Sequence, residues 1–137
     1  MASKSKVVVL NREAILAAED LPRELVEVPE WGGAVYVRAL TGAERDQFEA
    51  SIVEQRGRDV RMNMRNIRAK LVALTVVDED GQRIFTDDDV AALGGKSAAA
   101  LDRLFAVAQR LSGLSKEDVE ELAKNSESGQ SADSISG

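Results

Sequence analysis

Six basic side chains crowd one stretch of this sequence: Arg56, Arg58, Arg61, Arg65, Arg68 and Lys70. Four of them, Arg58, Arg61, Arg65 and Arg68, recur every three or four residues, the spacing that aligns side chains on one face of a helix. Such a stripe suits three tasks. It could hold phosphate groups, dock an acidic segment of another protein, or lie in solvent and pair with the chain's own acids. Carboxylates gather further on, at Asp78, Asp80, Asp87, Asp88 and Asp89. A hard cation wants clustered oxygens, but a calcium loop places glycine sixth and a bidentate acid twelfth, whereas Gly81 follows Asp78 by three. A hairpin turn and a helix start, where the helix dipole favours acids, account for these residues instead. Lys96 follows Gly94-Gly95 like the end of a phosphate loop, yet that motif needs its first glycine at position 90, which is Val90.

Histidine and cysteine are absent. That removes disulfides, thiolate nucleophiles, zinc-finger ligands and the usual acid/base residue of neutral pH. Carboxylate, Lys, Tyr and Ser chemistry remains open in principle. The reading is a protein that binds other proteins, with no catalytic residues, no metal and no cofactor. Trp31 and Tyr36 are the aromatic candidates for a binding surface. Tyr36 reads as a packing anchor, and Trp31 fits either role.

The chain that must position these groups has 137 residues, the size of one domain. Only 4% of them are aromatic, so the core has to be built from Leu, Val, Ile and Ala. The formal net charge of -6 opposes general attraction to nucleic acid and to anionic membranes. The apolar run at residues 7–10 is too short for a signal-peptide core or a membrane span, so a place in the cytoplasm is expected.

Residues 1–20 read as an N-terminal arm, with Asn11 capping a short helix that carries Ala14, Ile15, Leu16 and Ala17. Leu21-Pro22 ends it. Two strands around a glycine turn at Gly32-Gly33 are expected between residues 24 and 40, with Val35 and Val37 on one face and Tyr36 and Arg38 on the other. Thr41 and Glu44 form a capping box for a helix running to about Gln55. Val60, Met64, Ile67, Leu71 and Leu74, spaced by fours and threes, predict a second helix that also carries the arginine stripe. A small hairpin near residues 75–85 turns at Asp80-Gly81 and returns through Ile84-Phe85. Thr86 with Asp89 starts a short helix that Gly94-Gly95 ends, and residues 97–111 form a longer one with Leu101, Leu104, Phe105 and Ala108 inward. Ser115 and Asp118 begin a short acidic helix carrying Val119 and Leu122. Residues 125–137 are Ser- and Gly-rich and too polar to offset the entropy of ordering. The fold class is mainly α (α+β): a helical domain over residues 21–124 with two small hairpins, and a disordered polar tail at 125–137.

Several of these segments, taken together, are similar to a known family. Val28-Pro29-Glu30-Trp31-Gly32-Gly33, Val35-Tyr36-Val37-Arg38, Thr41-Gly42-Ala43-Glu44-Arg45, and the stretches 78–85 and 86–93 resemble the tail assembly chaperones of long-tailed, siphophage-type phages and prophages. The likeness covers residues 21–124. It implies a non-enzymatic factor, absent from the finished virion, that binds the tape-measure protein and recruits tail-tube subunits to it, with self-association as a further option. It assigns no individual binding residues. Those offered here, Arg58, Arg61, Arg65, Arg68 and Trp31, come from their chemistry alone. A nucleic-acid-binding regulator using the Arg58 to Arg68 stripe, and a structural tail or connector protein, are the alternatives. Members of the family are often made in short and extended forms by a programmed ribosomal slip. Ala123-Lys124-Asn125 permits the slippery message A-AAA-AAC, and equally suits the chance end of a helix.

Overall fold

The computed structural model describes residues 7–56, 58–62 and 66–114. The expected acidic helix after Ser115 and the polar tail lie outside the described residues. The chain begins with α1 (Arg12–Ala17), whose N-cap Asn11 accepts the Ala14 N–H on its side-chain oxygen at 2.9 Å. Next come β1 (Arg23–Val28), a single 3-10 turn at Pro29–Trp31, and β2 (Gly33–Arg38). Gly32 takes the left-handed conformation, φ 78°, that closes this turn, a conformation costly for residues with a Cβ.

The helix that starts at Gly42 carries the full reciprocal cap. The Thr41 hydroxyl accepts the Glu44 N–H at 3.0 Å, and the Glu44 carboxylate accepts the Thr41 N–H at 3.0 Å. This helix, α2 (Gly42–Ile52), stops before Gln55. A third hairpin, β3 (Val53–Arg56) with β4 (Asp59–Met62), occupies the place where a second helix was expected to begin. Among the described residues, the expected helix is present in its last part, as α3 (Ile67–Thr75).

β5 (Val76–Val77) follows directly, and Gly81 at φ 84° turns the chain back. The returning strand expected at Ile84-Phe85 is reduced to a single bridge, Val77 opposite Arg83. A capping box at Thr86 and Asp89 leads through a 3-10 turn (Asp87–Asp89) into α4 (Val90–Gly94). The last described helix is α5 (Ala98–Leu111), with the Ser97 hydroxyl accepting the Ala100 N–H.

The two predicted hairpins belong to one sheet. Its strand order is β1-β2-β5, all antiparallel, with Arg23 opposite Arg38 through Val28 opposite Gly33, and Tyr36 opposite Val77. Strand alternation sends Val26, Val28 and Val37 to the buried face. There they join Leu71, Val72 and Leu74 of α3, Leu101, Leu104 and Ala108 of α5, and Phe48 and Ile52 of α2 in one aliphatic core. The fold is α+β. Thr75, the single polar residue among the fully buried large side chains described, donates its hydroxyl to the Leu71 carbonyl at 2.8 Å and so enters the core at little cost.

Candidate protein-docking surfaces

The hairpin at residues 53–62 removes the helical arginine stripe. Arg58 lies exposed in the turn between β3 and β4, Arg61 is on β4, Arg68 is on α3, and Arg65 lies outside the described residues. Residues on a turn, a strand and a helix share no common axis, so the three-and-four spacing does not gather them on one face. Arg68 is also engaged within the molecule. It forms an ion pair with Asp102 of α5, and its guanidinium carbon stands 6.0 Å from the centre of the Phe105 ring. A cleft of about 350 Å³ opens beside it, lined by Asn66, Arg68, Gly94, Lys96 and Asp102. Asp102 counters the positive charge there and makes the cleft a poor anion site.

Trp31 is half-buried and packs against the core from the 3-10 turn. Tyr36 is half-buried too, with the Arg23 guanidinium 4.4 Å from its ring centre, in agreement with a packing role. The acidic turn is internally satisfied: the Asp78 carboxylate accepts the N–H groups of Asp80 and Gln82 at 2.9 and 3.0 Å. Among the described residues no three His, Cys, Asp or Glu side chains gather to hold a metal ion, and no helix is long and apolar enough to cross a membrane.

Three arginine–glutamate pairs fix the sheet layer to its neighbours. Glu30 is gripped by both terminal nitrogens of Arg103 on α5, at 2.8 and 3.0 Å, which holds its carboxyl at a pKa of about 2. Glu24 on β1 pairs with Arg110 of α5 at 2.8 Å. Arg38 on β2 grips Glu44 of α2 at 2.7 and 2.9 Å. Burial opposes ionisation of Glu44, but the hydrogen bonds from Arg38 and Thr41 outweigh it and hold its pKa below the usual carboxylate value.

The unsatisfied surface lies elsewhere. Val7, Val8, Val9 and Leu10 run extended before α1 with exposures of 58 to 91%, and α1 buries none of its residues, leaving Ile15 and Leu16 in solvent. Leu21 and Leu25 continue the same tract. Among the described residues, eight of the ten large exposed apolar side chains fall between residues 7 and 25; the other two are Val53 and Ile84. Scattered exposed leucines are ordinary in proteins, whereas a concentration of this kind marks a contact surface. The sequence signal was present in the apolar pattern of the arm, since a six-residue helix with no core to cover cannot sustain itself in water.

No curated protein matches this sequence. Among solved structures, the tail assembly chaperone of bacteriophage HK97 aligns with a TM-score of 0.53 at 20% identity, covering 72% of this chain and 94% of that one. At that identity the likeness speaks for the fold. The model of the phage tail assembly chaperone family matches residues 10–125, a span that takes in every helix and strand described above, and the chain belongs to that family.

Proposed function

We propose that this chain is a non-enzymatic assembly factor that binds the tape-measure protein, keeps it soluble in the host cytoplasm, recruits tail-tube subunits to it, and leaves before the virion is complete. The observation that carries this reading is the family match across residues 10–125. Support comes from the exposed apolar tract between residues 7 and 25, because a factor that shields an aggregation-prone chain needs apolar surface of its own. Trp31, Arg61 and Arg65 remain proposed contacts. Arg58, exposed at the β3–β4 turn, is open to an acidic partner segment.

The test is co-expression with the proteins encoded beside it in the phage or prophage. With this chain present the tape-measure protein stays in the soluble fraction and co-purifies with it, Arg58→Glu lowers the yield of the complex, and mass spectrometry of purified virions finds no peptides of this chain. A tape-measure protein equally soluble without the chain, or peptides of the chain in virions, overturns the proposal. A salt-sensitive complex with duplex DNA in place of these partners would favour the nucleic-acid reading. The same proposal includes an extended form. If Ala123, Lys124 and Asn125 are encoded GCA, AAA and AAC, a ribosomal slip there leaves the described core intact and exchanges only the segment C-terminal to the slip.

A further inference from the structure

The end of α5 is fixed firmly beside an open groove. Gly113, left-handed at φ 70°, turns the chain, and the Leu114 N–H donates to the Gln109 carbonyl at 2.9 Å. Leu114 is 3% exposed and belongs to the core, so residue 115 departs from a held point. Next to that point Leu21, Pro22, Leu40, Leu111 and Ser112 line a groove of about 350 Å³. The Ser112 hydroxyl accepts the Leu40 N–H at 2.9 Å and ties α5 to the chain before α2. Leu21 is 38% exposed there. Asp20, on the same lining, has no ion pair among the described residues.

We propose that residues 116–124 dock as a short helix in this groove of their own chain, with Val119 and Leu122 against Leu21 and Leu111. The family match runs past Leu114 to residue 125, which puts these residues inside the family's common domain and leaves the Ser- and Gly-rich remainder outside it. Val119, Leu122 and Ala123 have the spacing of one helix face. At 1.5 Å per residue Val119 and Leu122 come about 6 and 10 Å beyond Ser115, within reach of a groove that Leu111 and Ser112 already border. A helix of this length is marginal in water by itself and needs a surface to cover. Charge fits the same seat. Helical spacing sets Lys116 at the border of the apolar face, in the turn nearest the anchored Leu114 and on the side of Asp20, while Glu117 and Glu121 fall on the opposite face. The tether favours the chain's own segment, since a short link gives an effective concentration on the order of millimolar. Docked there, the segment shields Leu21 and leaves residues 7–16 of the apolar tract open, and whatever follows residue 125 departs beside the arm.

Amide hydrogen exchange of the full chain, read by NMR across a concentration series, tests this. The amides of residues 119–123 should exchange at least about tenfold more slowly than those of residues 127–136, because an undocked helix this short gives almost no protection. Val119→Asp and Leu21→Asp should each abolish that protection while the amides of α3 and α5 keep theirs. Lys116→Glu should weaken it by about two- to fivefold, the range of an exposed ion pair, and Asp20→Lys combined with Lys116→Glu should restore it. Amides at 119–123 that exchange as fast as those at 127–136, protection that survives both Leu21→Asp and Lys116→Glu, or protection that grows with protein concentration, the mark of docking on a second copy, would each overturn the proposal.

Discussion

Two regions of this molecule are built from similar aliphatic residues and used in opposite ways. In the block of α3, α5 and the sheet, Leu71, Val72, Val76, Leu104 and Ala108 are completely buried. In the segment from residue 7 to α1, residues of the same types are more than half exposed. The difference lies in what each can reach. Leu101, Leu104 and Ala108 recur along one side of a fourteen-residue helix, and three facing elements meet them. The arm has a helix of six residues that buries none of its side chains among the described residues. Apolar composition therefore marks a core in one region and an exposed tract in the other, and the deciding property is what lies within reach.

The contrast predicts a graded set of responses. The largest belongs to Leu104→Ala, which opens a cavity at a site with no exposure and should cost about 3–5 kcal/mol, read as an earlier urea midpoint with an unchanged slope. A loss under about 1 kcal/mol would show a core far looser than its packing indicates. A smaller effect sits at the sheet–helix boundary. Glu30, held at a pKa of about 2 against an ordinary 4.5, is charged in the fold at pH values where the unfolded chain would bind a proton. Its contribution is therefore complete above pH 4.5 and is lost as the pH falls from there towards 2. Glu30→Gln should make the melting temperature fall less steeply between those limits while changing little of the slope above about pH 5; an identical acid slope in the variant would remove the pair from the account. The smallest response is expected of Leu16→Ser, a change of stability within about 0.5 kcal/mol, as for surface sites generally. Marked destabilisation of a dilute sample by Leu16→Ser would mean that the arm packs on its own core and would erase the contrast.

Local signals were legible in the sequence because the chemistry that produces them is local. Asn11, Thr41 and Ser97 each stand where a helix begins, since a side-chain oxygen and an N–H three residues on decide the matter among themselves, and at Thr86 the Asp89 carboxylate accepts the Thr86 N–H. The inward face of α5 was legible for the same reason. Residues 53–62 were misread because Val60 and Met64 are four apart, a spacing that is nearly one helical turn and also two strand repeats. The Arg56-Gly57-Arg58 interruption is the better guide, because a chain reversal between β3 and β4 disperses the arginine stripe without reference to any other part of the chain. The union of the two expected hairpins in one sheet was out of reach for a different reason. Val37 and Val76 meet across the strand pair, and nothing within a short window of either residue encodes that meeting. Of the candidate contacts, Trp31 and Arg68 had roles inside the fold that their chemistry alone could not reveal.

The sheet's strand order also sets a timetable. β1 and β2 are neighbours in the chain, joined through a single turn, and a hairpin of this kind closes in about 1–10 microseconds. Its third strand arrives only after α2, the second hairpin and α3 have been made, and α5 must be added before Val28 and Val37 are sealed from water. During synthesis the nascent chain thus holds a formed but half-covered ribbon, with an open edge and an apolar face, for as long as the ribosome takes to add about seventy more residues, several seconds at about 5–20 residues per second. Intermolecular encounters on a crowded polysome are most dangerous in that interval, and the charges at Arg23, Glu24 and Glu27 guard the edge against its twin on a neighbouring nascent chain until the late helix closes over the face.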